Sequence, residues 1–200
     1  SGVATGFDKL DLLTSGWQPS DLVVIAARPG MGKTALTLSM ARNIAVLKKT
    51  PVAFFSLEMS SVQLITRLIS AETGLTSEKL RTGKLESHEW EQLNVKVGDL
   101  EKAPLYIDDS PSLSIFDLRA KARRLSSKYG IKLIIVDYLQ LMTSGTVNKT
   151  GNREQEISSI SRNLKALAKE LNVPRISVTK APMGISQILN NFKNQNKKNE

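Results

Sequence analysis

The chain has 200 residues, a net charge of +9, no cysteine and one histidine. The lack of thiols excludes disulfides and cysteine-based zinc sites, and a single histidine excludes a histidine-cluster metal site. Hydrophobic residues make up 40% of the chain, enough for the core of one domain, while no apolar run reaches the roughly 18–20 residues of a membrane span.

The positive charge predicts contact with polyanions such as nucleic acid or nucleotides, although a solvated basic surface would give the same composition. The N-terminus has no signal-peptide pattern of basic, apolar and small-residue regions. We therefore expect a cytoplasmic location and no membrane partner.

The first half of the chain alternates predicted strands with predicted helices. LVVIAA at 22–27 predicts a buried strand, and apolar residues at helical spacing follow Thr34. A second strand is predicted at 51–57. Ser60 and Gln63 then have the spacing of a capping box, which predicts the start of a helix.

The second half continues the alternation. The predicted elements are two short helices within 74–100, a strand at 105–107, a helix that begins near Ser114, a strand at 131–136, a loop at 143–152, a helix at 153–171 and a strand at 173–178. Such alternation predicts an α/β fold with a mostly parallel central sheet and helices on both faces. We expect one domain over residues 1–180 and a polar, disordered tail over 181–200.

The segment between the first strand and the first long helix has the pattern of a phosphate-binding P-loop. Gly30 and Gly32 let the backbone bend and bring its N–H groups to an anion. Lys33 can reach the β- and γ-phosphates of a nucleotide, and the Thr34 hydroxyl can ligate Mg²⁺. The pattern usually begins with glycine, and Ala27 can replace it if that position has no positive φ. The predicted cradle comprises Ala27, Arg28, Pro29, Gly30, Met31, Gly32, Lys33, Thr34 and Ala35.

Two further carboxylates are predicted to complete this site. LIIVD places Asp137 at the C-terminal end of a strand, where open α/β sheets bind ligands, and there it could hold Mg²⁺ through water. Residue 138 is tyrosine, so the acid that activates the attacking water must lie elsewhere. Glu58 fits that role if its strand lies beside the P-loop strand. The alternative is that Glu58 only favours the positive end of the next helix.

Other charged residues have two open interpretations. Asp108 and Asp109 end a short strand, and either help the site or form a turn. A predicted helix also carries a basic face, which is either solvated or a contact for a partner or DNA; its residues are Arg119, Lys121, Arg123, Arg124 and Lys128.

Several phrases together resemble the motor domain of DnaB-type bacterial replicative DNA helicases. They include TGFDKLD, ARPGMGKTAL, FFSLEMS, IIVDYLQLM and NREQEISSISRNLKALAKELNVP, and the likeness runs from about residue 3 to Pro174. The resemblance implies a RecA-like P-loop NTPase fold, a homohexameric ring and ATP-driven unwinding of duplex DNA during replication.

The resemblance also assigns roles to residues and partners. It implies ATP and Mg²⁺ as cofactors, Lys33 and Glu58 as catalytic residues, and Thr34 and Asp137 as the metal-binding residues. It implies loops that hold single-stranded DNA by its backbone, and primase and a helicase loader as partners in a primosome.

After Pro174 the sequence departs from the family. Arg175 interrupts an expected apolar strand, and Thr179 and Lys180 replace the family's Ser-Gln. Later strands and an arginine finger are also missing, so we expect a fold that is incomplete at its C-terminal end. The expected activity is ATP binding with weak or no unwinding by this chain alone. The alternative is a catalytically deficient nucleotide-binding module that associates with a helicase.

Overall fold

The computed structural model describes residues 2–143 and 153–180. The helices are α1 (Asp8–Thr14), α2 (Lys33–Arg42, extended by a π-helical turn at Asn43–Leu47), α3 (Ser61–Thr73), α4 (Ser77–Thr82), α5 (Ser87–Glu101), α6 (Ile115–Tyr129) and α7 (Arg153–Leu171), with a short 3₁₀ turn at Leu139–Leu141. The strands are β1 (Leu22–Ala27), β2 (Val52–Ser56), β3 (Leu105–Asp108), β4 (Leu133–Asp137) and β5 (Arg175–Lys180). No helix in this part of the chain is long and apolar enough to cross a membrane.

The five strands form one parallel sheet in the order β1-β5-β4-β2-β3. Strand β5, the last one in the described residues, therefore lies between β1 and β4. Among the residues that the structure describes, β1 is an edge strand, and all six of its residues are half-buried, so the prediction of a buried strand at 22–27 is wrong in this respect. A strand that is paired on one side only retains an exposed flank.

Helices cover both faces of the sheet, as predicted for an α/β fold. Side chains alternate between the two faces along each strand. Phe55 and Val136 point toward the core beneath α6 and α7, whereas Phe54 and Ile135 point toward the core beneath α2 and α3. Strands β2 and β4 are fully buried because they are covered on both faces and paired on both edges.

The predicted helix starts are set by local hydrogen bonds. The Ser60 Oγ atom accepts the Gln63 backbone N–H at 3.3 Å, and Gln63 Oε1 accepts the Ser60 N–H at 3.0 Å. Ser114 makes the equivalent pair of bonds with Asp117. Both capping boxes are therefore present. The helix α1 has no such side-chain cap and is not predicted from the sequence.

Arg175 does not interrupt its strand. It is the first residue of β5, pairs with Leu22 and Ile134 on the flanking strands, and is fully buried. Within the described residues, the sheet thus continues past Pro174 through Lys180. The predicted tail at 181–200 and most of the predicted loop at 143–152 lie outside the described residues.

Candidate nucleotide-binding site

The predicted P-loop connects the end of β1 to the start of α2. Gly30 and Gly32 have φ angles of 76° and 79°, and Gly32 is the N-cap of α2. A Cβ atom at either position would have no neighbour within 4 Å, so the positive φ rather than crowding is the reason for glycine here. Ala27 ends β1 in extended conformation, which satisfies the condition under which alanine fits the first position.

The Lys33 side chain lies across this loop. Its Nζ atom donates hydrogen bonds to the carbonyl oxygens of Ala27 at 2.7 Å and Arg28 at 2.9 Å. The ammonium group is thus held by neutral acceptors inside the loop. Phosphate oxygens are charged acceptors and bind an ammonium group more strongly than carbonyls do.

The first turn of α2 presents a hydroxyl group next to Lys33. Thr34 is half-buried, and its hydroxyl makes no hydrogen bond with the residues that the structure describes. Thr37, one turn later, instead donates its hydroxyl to the carbonyls of Lys33 and Thr34. The Thr34 hydroxyl is therefore available to a ligand, whereas that of Thr37 belongs to the helix.

Asp137 lies at the same edge of the sheet as the P-loop. Ala27 pairs with Lys180 of β5, and Asp137 pairs with Val178 of the same strand. The C-terminal ends of β1 and β4 are therefore two strand spacings, or about 10 Å, apart. The Asp137 side chain is buried, with the residue only 2% exposed.

Glu58 follows the expected strand, β2, but that strand has a different position in the sheet. β2 pairs with β3 and β4 and not with β1, so the expectation that it lies beside the P-loop strand is wrong. Ser56 pairs with Asp137, and the Leu57 N–H donates to the Asp137 carbonyl at 2.7 Å. Glu58 is thus an exposed residue immediately beyond Asp137. The order of parallel strands along the chain does not fix their order in the sheet. Here β5, which comes late in the chain, lies next to β1.

Asp108 and Asp109 make structural contacts at the end of β3. Asp108 bonds to Lys121 Nζ at 2.6 Å, while Asp109 Oδ2 accepts the Ser61 N–H at 2.7 Å. Partial burial acts to raise the pKa of Asp108, but the hydrogen bonds from Lys121 and Ser110 outweigh it and lower that pKa. Both carboxylates therefore tie β3 to neighbouring helices.

Part of the basic face of α6 is neutralised within the domain. Arg119 and Arg123 both pair with Glu170 of α7, and the bond from Arg119 Nη2 measures 2.8 Å. The hydrogen bond from Arg123 is the main cause that lowers the pKa of Glu170. These two arginines hold α6 against α7.

Comparison with known proteins agrees with the resemblance to DnaB-type helicases. The family described as "DnaB-like helicase C terminal domain" matches residues 2–198, which extends beyond Pro174, where the motif comparison ends. The chain is 48% identical over 187 residues to "Replicative DNA helicase DnaB" of Geobacillus stearothermophilus and 43% identical over 187 residues to "Replicative DNA helicase DnaC" of Bacillus subtilis. Each alignment covers 94% of this chain and 41% of the relative, so the chain spans less than half of their length.

Two solved structures share the fold. One, described as an "ATPase Domain", superimposes with a TM-score of 0.86 and 33% identity, covering 94% of this chain and 66% of that chain. The second is described as "The Structure Of A DnaB-Like Replicative Helicase And Its Interactions With Primase". It gives a TM-score of 0.85 and 33% identity over 94% of this chain and 45% of that chain.

Proposed function

The chain belongs to the DnaB-like helicase C-terminal domain family, and we propose that it is the ATP-binding and ATP-hydrolysing motor domain of a replicative DNA helicase. One observation carries the proposal: the P-loop and the two carboxylates, Asp137 and Glu58, lie at the same C-terminal edge of one parallel sheet. Open α/β sheets bind their ligands at this edge.

We propose that the P-loop, residues 27–35, binds the triphosphate of ATP. Its two glycines turn the backbone N–H groups at the start of α2 toward the phosphates, where the helix dipole adds to the attraction. Lys33 exchanges its two carbonyl acceptors for phosphate oxygens. In that position it stabilises the charge that develops on the transferred phosphoryl group.

The residues beside the P-loop fit a magnesium ion. Mg²⁺ prefers oxygen ligands and is usually held by one or two protein groups together with phosphates and water. The available Thr34 hydroxyl and the buried Asp137 carboxylate provide that donor set. A bound Mg²⁺ would neutralise phosphate charge, while Thr34 and Asp137 would hold it in place.

Glu58 is the proposed general base. It is exposed at the sheet edge next to Asp137, so its carboxylate can orient a water molecule and accept its proton. Tyr138, which follows Asp137, has no carboxylate and so does not provide this general base. Glu58 is therefore the acidic side chain best placed to activate the water molecule that attacks the γ-phosphate.

The wider activity belongs to the assembled protein. We propose a homohexamer that translocates on single-stranded DNA through backbone contacts, unwinds duplex DNA and works with primase and a loader in a cytoplasmic primosome. Support comes from the relatives named as replicative helicases and from the structure described with primase. This chain alone is expected to unwind DNA weakly or not at all.

The test is nucleotide binding and turnover by the wild-type chain, Lys33→Ala and Glu58→Gln, each with and without single-stranded DNA. Lys33→Ala should lose ATP binding because the phosphate charge is left uncompensated. Glu58→Gln should bind ATP normally and lose turnover by a factor of about 10²–10⁴, the usual contribution of a general base.

Equal ATP affinity for wild type and Lys33→Ala would contradict the proposed site. ATP binding by the wild type without any turnover would instead support a nucleotide-binding interaction module. Strong ATP-dependent strand separation by the purified chain would contradict the expectation that it unwinds weakly alone.

A further inference from the structure

The turn that carries Glu58 is held from inside by Ser56. This turn, residues 57–60, connects β2 to α3. The Ser56 hydroxyl donates to the Met59 carbonyl at 2.7 Å and accepts the Met59 N–H at 3.3 Å. Ser56 is 2% exposed, so water does not compete strongly for these bonds. One side chain thereby closes the turn around Glu58.

The far end of the same turn is held from outside by Asp109. Its Oδ2 atom accepts the N–H of Ser61, the first residue of α3, at 2.7 Å. The capping box of Ser60 and Gln63 satisfies the N–H groups of those two residues but not the N–H of Ser61. The Asp109 bond is therefore additional to capping, and it links α3 to the end of β3.

Asp109 is itself part of a fixed loop. The Lys121 Nζ atom of α6 donates to Asp108 at 2.6 Å and to Ser110 Oγ at 2.7 Å. The Ser110 N–H also donates to Asp108 at 3.1 Å. The residues on both sides of Asp109 are thus bound to each other and to a helix. The N–H of Ser61 therefore binds to an acceptor that has little freedom to move.

We propose that Asp109 and Ser56 are positioning residues that hold Glu58 at the γ-phosphate of ATP by fixing the two ends of its turn. This inference rests on the proposed function, in which Glu58 is the general base. Catalysis needs the Glu58 carboxylate in one position, and that position depends on the backbone of its turn. A displacement of about 1 Å at a reacting group can cost about 10²-fold in rate.

The test measures turnover and binding for Asp109→Ala, Asp109→Asn and Ser56→Ala. Asp109→Ala and Ser56→Ala should each lower kcat about tenfold or more, with the KM for ATP unchanged because both side chains bind the backbone around the turn and not the P-loop. Asp109→Asn should retain most of kcat, since its side-chain carbonyl still accepts the Ser61 N–H. Asp99→Ala, a change at an exposed aspartate of α5, is the matched control.

A second readout does not need turnover. We would measure the affinity for ADP with aluminium fluoride, a mimic of the transition state, and the affinity for ADP alone. The ratio of the first affinity to the second reports how well the site binds the transition state. Asp109→Ala should lower this ratio relative to wild type at an unchanged ADP affinity. Equal ratios for the two proteins would overturn the inference, and so would a loss of both affinities together with thermal stability.

The two proposals fail in different ways. If Glu58→Gln leaves turnover and the affinity ratio unchanged, the proposed role of Glu58 is wrong and the positioning role falls with it. If Glu58→Gln abolishes turnover but Asp109→Ala and Ser56→Ala behave as wild type, only the positioning inference is wrong.

Discussion

Arg175 is a basic residue inside an apolar sheet. It is fully buried, and within the described residues its Nε and Nη2 atoms have no hydrogen-bond partner. In this part of the chain only Nη1 has a hydrogen bond, a long one of 3.4 Å to the Leu164 carbonyl. Burial lowers the pKa of Arg175 to about 9, despite the opposing attraction of Glu170. A charged group in this environment destabilises the folded chain.

We predict that Arg175→Leu raises the free energy of unfolding by about 1–4 kcal/mol, the range for buried ion pairs replaced by apolar side chains. Urea denaturation measures it, with exposed Arg124→Leu as the control. Because the pKa of Arg175 is lower when folded, the penalty is fully present below pH 9 and decreases as the pH rises toward the ordinary arginine value. The advantage of the leucine variant should decrease over the same range. A variant less stable than wild type at pH 7 would contradict this prediction.

At the scale of elements, a charged pair joins the P-loop helix α2 to α3. Arg42 donates to Glu72, whose side chain is only 6% exposed, and Lys96 of α5 approaches Glu72 at 3.9 Å. The hydrogen bond from Arg42 is the main cause that lowers the pKa of Glu72, against the effect of burial. This carboxylate therefore links three helices, α2, α3 and α5.

We predict that Glu72→Gln lowers the free energy of unfolding by about 1–3 kcal/mol at pH 7, because Arg42 is left without its charged acceptor. The pKa of Glu72 is lower when folded, so its contribution is present above the ordinary glutamate pKa and is lost as the pH falls through the folded value. Wild type and variant should thus become equally stable in acid. Glu91→Gln, at an exposed position of α5, is the control, and a pH-independent difference would contradict the assignment.

At the scale of the whole molecule, the net charge of +9 does not identify a DNA-binding surface by itself. Arg119 and Arg123 are bound to Glu170, and Lys121 is bound to Asp108. These three cations of α6 are used within the domain. Of the two interpretations of the basic face of α6, these ion pairs favour a structural role for the three residues over contact with DNA.

We predict that Arg119→Ala with Arg123→Ala lowers thermal stability but leaves the affinity for single-stranded DNA nearly unchanged. Any binding by wild type should weaken as salt rises, since it depends on phosphate contacts. Fluorescence anisotropy of a labelled oligonucleotide over a salt series measures the DNA affinity and its salt dependence, and thermal denaturation measures the stability. Loss of DNA affinity in the double variant, at an unchanged melting temperature, would assign α6 to the DNA instead.

The sequence by itself determined the features that depend on neighbouring residues. The turn at Gly30 and Gly32, the extended Ala27 and the capping boxes at Ser60 and Ser114 each arise within a few residues, so their patterns can be read directly. The α/β alternation likewise predicted a parallel sheet covered on both faces. The family resemblance rests on the same local phrases.

Only the tertiary structure decided which distant segments meet. β5 enters between β1 and β4, which moves β2 away from the P-loop strand and buries Arg175. The bond between Asp109 and Ser61 joins residues 48 positions apart. Strand order and such contacts depend on the packing of the whole chain, and no local pattern of side chains specifies them.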